Sequence, residues 1–144
     1  MSASLIAPLS ISGCSFNESS QKNIIGIQLY SVRDEMVKNP KETLTKIASY
    51  GYKYVEGYEG SLGLFWGMTN LEFKKFLDDL GLTMISSHCG DTNNLESFNK
   101  KSSQAAEIGM KHLICPWAEG DRTIDQFKRN AEIFNKCGEI SQQN

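Results

Sequence analysis

The sequence predicts an α/β protein in which four strand–helix units follow one another and every strand runs the same way. Three observations carry this. Short apolar runs alternate with longer amphipathic stretches from Ile24 onward. The second, third and fourth runs open at about Lys53, Leu82 and Lys111, a pitch of 29 residues, and alternation at that pitch requires parallel strands joined by crossover helices. The stretch "GLTMISSHCGD", Gly81 to Asp91, neither alternates nor keeps a helical stripe, as expected of a parallel strand covered on both faces.

Each element follows from its residues. "IIGIQLY", 24–30, is the first strand. "NPKETLTKIASYG" is a helix with Asn39 as N-cap, Pro40 at the first position, Glu42 closing a capping box and Gly51 as the stop. Leu44, Ile47 and Ala48 share its inner face. "YKYVEGY" is the second strand. "TNLEFKKFLDDLG" is a helix capped by Thr69 and Glu72, with Phe73, Phe76, Leu77 and Leu80 as its stripe and Gly81 as its stop. The third strand, ending at His88, precedes a helix from about Asn94 to Gly109, more weakly patterned because of its serines. "KHLICPW" is the fourth strand. Thr123 and Gln126 cap the last helix, whose inward stripe is read as Phe127, Ala131 and Phe134.

The bulk numbers bound the function. The chain has 144 residues, 40% apolar and 22% charged, enough for one domain with a real core. A net charge of −2 and no Lys/Arg-dense stripe give nucleic acid no electrostatic hold. Cys14, Cys89, Cys115 and Cys137 form no CxxC pair, against a zinc ribbon or a disulfide miniature. Residues 1–23 read as a disordered leader outside the fold, leaving 24–144 as the folded region. Within the leader Ile11-Ser12-Gly13-Cys14 has the form of a lipobox, with Cys14 as the lipidated residue of an exported, periplasmic lipoprotein. The stretch has no Lys or Arg before it and is broken by Pro8, so a plain leader on a cytoplasmic chain is the alternative.

Ligands of parallel α/β sheets bind beyond the carboxyl ends of the strands, and the polar and aromatic residues fall there. Gln28 and Tyr30 end the first strand, ahead of Arg33. Glu56 lies in the second, followed by a loop with Phe65 and Trp66. His88 ends the third; Pro116 and Trp117 end the fourth, with Glu119 beyond. Aromatic walls with a few hydrogen-bonding groups suit a polyhydroxylated ligand. His88 bonded to a loop carbonyl, and Trp66 or Trp117 capping the core, are the plain alternatives. Glu56, a carboxylate inside "YVEGY", must be paired, hydrated or liganding something. Cys89 and Cys115 read as small buried hydrophobes. His112 opens its strand while His88 ends the neighbouring one, about 13 Å apart along the sheet, so His88, Cys89, His112 and Cys115 do not make one metal site.

On "IGIQLYSVRDEM", the Glu56 strand and the "SSHCG" strand end, the sequence resembles the sugar phosphate isomerase/epimerase family of xylose isomerase-like TIM barrels. The resemblance implies the first half of a parallel (β/α)8 barrel, truncated to four βα units. It also implies an enzyme acting on a small carbohydrate by proton transfer next to a carbonyl. Such an enzyme uses a divalent metal (Mn, Mg, Co or Zn), whose ligands the family takes largely from later strands. On this reading His88, Glu56, Gln28, Tyr30, Trp117 and Trp66 are substrate-binding candidates, no metal ligand is assignable, and the 144-residue chain alone is inactive. Its open sheet edges would meet the missing half-barrel or another copy. A self-contained flavodoxin-like or carbohydrate-binding module is the alternative. An abasic-site nuclease of the endonuclease IV type would need a second strand-end histidine where "ICPWAEG" has none.

Overall fold

The computed structural model describes residues 25–90, 92–118 and 120–144. Four strands, β1 (Gly26–Gln28), β2 (Tyr54–Tyr58), β3 (Thr83–His88) and β4 (His112–Ile114), form one sheet in the order β1-β2-β3-β4. All three pairings are parallel. The order never reverses, so this sheet has no switch point of the kind that defines a doubly wound, flavodoxin-like domain. Strands β2, β3 and β4 each open one residue later than the sequence pattern set them, and the pitch is kept.

The helices are α1 (Arg33–Lys38), α2 (Pro40–Ser49), α3 (Asn70–Leu80), α4 (Leu95–Glu107) and α5 (Ile124–Gln143). Thr69 and Glu72 form the full reciprocal capping box of α3, and Gly81 closes that helix at φ 67°, a left-handed position that favours glycine. Asn94 and Thr123 cap α4 and α5 through the amides of Ser97 and Gln126. At α2 the expected box is altered. The Asn39 side chain accepts from the Glu42 amide, but its own backbone N–H is committed to the Glu35 carbonyl that ends α1. Glu42 therefore takes the Asn39 side-chain amide instead, at 3.0 Å.

Three expectations need correction. The first strand stops at Gln28, and Leu29–Val32 is a 3-10 turn leading into α1. The cause is local: Gln28 Oε1 accepts the Tyr30 N–H at 2.7 Å and pulls the chain out of the sheet. Strand β3 is covered on both faces only toward its carboxyl end. Val55 pairs with Met84 but Glu56 pairs with Ser86, leaving Ile85 as the extra residue of a bulge. Met84, Ser86 and Ser87 are buried while Thr83 and Ile85 are open, and the bulge at Ile85 breaks the alternation. Finally, the stripe assigned to α5 faces outward: Phe127 is 55% and Phe134 40% exposed, and Ala131 is exposed too. Cys137, Ile133 and Ile140 make the inner face, rotated toward α4.

The core lies between the sheet and helices α1 to α4. Leu29, Met36, Leu44, Val55 and Phe73 are fully enclosed. Gly57 lets β2 and β3 pack closely, because a Cβ there would push on Met84 Cε and stand 2.8 Å from Ser87 Oγ. Asn70, at the start of α3, donates to Glu107 Oε2 and the Gln104 carbonyl of α4, which fixes adjacent units to each other. Among the described residues no helix is long and apolar enough to cross a membrane.

Candidate functional site

Parallel register brings the strand ends to one rim. Tyr58 pairs with His88, and His88 with Ile114. Side chains of paired residues share a face, so Glu56, Ser86 and His88 stand together on the side away from the helices. Ser86 Oγ donates to Glu56 Oε2 at 2.6 Å, and His88 Nε2 lies 3.5 Å from Glu56 Oε1. Both side chains are about one-third open to solvent, at 31% for His88 and 30% for Glu56. The carboxylate is thus bonded on one oxygen and faces an imidazole with the other. This arrangement offers a hydrogen-bond acceptor beside a ring nitrogen.

Next to this pair opens a cleft of about 520 Å³, walled by Tyr30, Tyr58, Pro116 and Trp117, with Gln28 and His88 among its polar groups. Tyr58 is the pivot of the aromatic wall. Its ring meets Tyr30 edge-on at 5.1 Å and Trp66 edge-on at 4.9 Å. Such T-shaped pairs fix ring orientation, and burial pushes the Tyr58 hydroxyl pKa above its ordinary value, so the group stays a neutral donor near neutral pH. The Arg33 guanidinium lies over the Tyr30 ring at 4.9 Å and donates to the Tyr30 carbonyl at 3.3 Å.

The candidates separate accordingly. Gln28, Tyr30, His88 and Trp117 line the cleft. Glu56 stands beneath it, tied to His88. Trp66 does not reach the cleft: it is 2% exposed and sits behind Tyr58, in a loop where it adopts φ 57°. Packing of Leu64, Phe65 and Trp66 under that loop outweighs the cost of a left-handed non-glycine residue. Glu119 and Cys14 lie outside the described residues.

Two features escaped the sequence. Glu59, just past β2, binds Lys101 of α4 at 2.8 Å and accepts the Gly90 amide at 3.0 Å. Lys101 reaches across 42 positions, a contact that no local pattern signals. It ties the ends of β2 and β3 to a helix. Tyr58 was legible only as a strand-end tyrosine. Cys89 is buried, and burial, helped by the Glu59 carboxylate, pushes its thiol pKa up to about 11; it is an inert filler, as its sequence context suggested.

His112 pairs with Ser86, two residues below His88, so about 7 Å separates them along the sheet instead of four residues' worth. Even so, no group of three or more His, Cys, Asp or Glu among the described residues can hold a metal ion. Glu56 and His88 supply two donors at most, fewer than a protein-held divalent ion requires.

No protein-family model matches the chain, and no curated protein matches it significantly. Solved structures do. The chain is similar to a sugar phosphate isomerase/epimerase from Parabacteroides distasonis ATCC 8503, at 25% identity and a TM-score of 0.67 over 88% of this chain and 50% of that one. It is also similar to a second such protein from the same organism, at 27% identity and a TM-score of 0.70, over 83% of this chain and 50% of the other. Its structural neighbours are sugar phosphate isomerases/epimerases. The chain spans about half the length of the solved structures it matches, and its four consecutive parallel βα units are those of a partial TIM barrel.

Proposed function

We propose that this chain is the first half of a sugar isomerase or epimerase barrel, and that its rim binds the substrate's hydroxyl groups while proton transfer next to a carbonyl is completed by residues of the other half. The observation that carries this is the Glu56–Ser86–His88 cluster at the rim where four parallel strand ends meet, in a chain similar to half of such enzymes.

Each residue has a role that its chemistry permits. Glu56 accepts a hydroxyl proton or hydrogen bond, with Ser86 holding one of its oxygens. His88 donates from, or accepts at, its ring nitrogens. Gln28 is fixed by its bond to the Tyr30 amide, which leaves its side-chain NH₂ to donate toward the cleft. The described residues do not fit a divalent metal by themselves; a metal-dependent enzyme would need ligands besides Glu56 and His88.

The test is a fusion of residues 25–144 to the second half of one of the Parabacteroides distasonis barrels, followed by exchange of solvent deuterium into the carbon next to a sugar carbonyl. Exchange is expected in the fusion and absent from the 144-residue chain. Glu56→Gln and His88→Ala in the fusion should each lower kcat/KM by roughly tenfold or more, the size of one hydrogen bond to a charged group. Exchange by the chain alone, or exchange indifferent to both substitutions, would refute the proposal.

A further inference from the structure

Among the described residues β1 pairs only with β2 and β4 only with β3, so the sheet ends in two bare edges. The edges match. Each strand has three residues, of which the first is exposed and the next two are half-buried. An unpaired strand edge is a template for another chain. Nothing blunts these two: neither carries a proline, a lysine or a register shift.

Apolar exposure is concentrated in the units that carry these edges. Of the eleven large apolar side chains left open among the described residues, eight belong to the first and last βα units, Ile25, Val37, Ile124, Phe127 and Phe134 among them. Only Leu62, Leu71 and Ile85 lie between. With roughly 150–250 Å² on a large aromatic side chain and about half of each exposed, covering the eight in two copies removes on the order of 1,200 Å² from water, the lower bound for a stable dimer. Helices α2 and α5 carry charges of both signs, Lys41, Glu42 and Lys46 on one and Asp125, Lys128 and Glu132 on the other, so no single-sign field keeps them apart.

A second copy supplies both missing surfaces at once. Its β1 edge fits beside β4 and its β4 edge beside β1, and the twofold closes at eight parallel strands, the number at which such a sheet seals into a barrel. Gln28, His88 and Pro116 lie on one rim. A level rim sets Gln28 of one copy beside Pro116 of the other and, two residues earlier on both strands, Gly26 beside Ile114. We propose that two copies of this chain close into one eight-stranded barrel, β1 of each paired with β4 of the other. Both Glu56–His88 pairs then face a single lumen. Closure depends on the sheet and its edges alone, so it stands or falls apart from the isomerase reading.

Sedimentation equilibrium of the full 144-residue chain should give twice the monomer mass at about 200 µM and the monomer near ~1 µM, since edges of three residues place the dissociation constant at roughly 10 µM. Phe127→Glu, on α5, should raise that constant at least roughly tenfold. Leu71→Glu, on α3 and equally open at 62% exposure, should leave it unchanged. Thermal melts of both variants at about 1 µM should match the unsubstituted monomer, which separates a lost interface from a lost fold. In a dimer of one isotope-labelled and one unlabelled copy, filtered nuclear Overhauser contacts should join Gly26 of one copy to Ile114 of the other. A monomer at the higher concentration, a mass that climbs past two copies, a dimer indifferent to Phe127→Glu, or contacts joining β1 to β1 would each overturn the proposal. Exchange in the fusion decides the isomerase reading and is untouched by any of these results.

Discussion

Helices α3 and α5 begin alike and are buried differently. Each starts on a threonine that accepts the third following amide, and each carries an apolar stripe at helical spacing. In α3 the stripe goes inside: Phe73 is fully buried and Leu77 is 3% exposed. In α5 only Cys137 is buried, while Ile124, Phe127 and Phe134 stand 70%, 55% and 40% exposed. The cause is position in the sheet. A crossover helix packs over two strands and against a helix on either side. Helix α3 has α2 and α4 beside it, whereas α5 packs chiefly on α4 among the described elements. Helix propensity and capping thus set where a helix lies along the chain, and the neighbours it receives decide which face it buries.

The largest expected effect puts this contrast under load. Phe73→Ala should cost about 3–5 kcal/mol by urea unfolding, the value for emptying a filled aromatic site, and Phe127→Ala less than about 0.5 kcal/mol. Similar losses would break the comparison. Next is an alkaline transition. Cys89 has a folded pKa raised from 9.0 to about 11. The stability it contributes is therefore complete below pH 9 and lost as pH rises through 11. About 2–3 kcal/mol should disappear over that window, and Cys89→Ala should remove this part of the pH dependence.

Two glycines sharpen the contrast further. Gly57→Ala should destabilise by about 1–3 kcal/mol, since its methyl meets Met84 and Ser87 in a packed sheet. Gly138→Ala, in α5 with nothing within 4 Å of its Cβ, should stabilise by about 0.5–1 kcal/mol through helix propensity. The smallest effect separates the caps. Thr69→Ala, which breaks a reciprocal box, should cost about 1–2 kcal/mol, and Thr123→Ala about 0.5–1 kcal/mol, both readable as shifts in midpoint.

Much of this architecture was legible, and the reason is locality. Asn39, Thr69, Asn94 and Thr123 sit at the starts of α2 to α5 because an N-cap is satisfied within three residues of itself. The strand pitch was legible because each βα unit repeats the same lengths. What failed depended on distant contacts or on runs too short to show a period. The 3-10 turn after Gln28 is set by one side-chain bond in four residues. The rotation of α5 depends on what lies beside it. At the site, Gln28, Tyr30, His88 and Trp117 could be placed from strand ends alone. The burial of Trp66 behind Tyr58, and the Glu59–Lys101 tie, required the fold.

The functional account stands on the strand ends sharing one rim, and cross-strand nuclear Overhauser contacts test that directly. Parallel register predicts backbone contacts between Tyr58 and His88 and between His88 and Ile114. Contacts pairing His88 with Tyr54 or with His112 would mean that adjacent strands run in opposite directions, and would place Glu59 and Trp117 at the far end of the sheet from the imidazole.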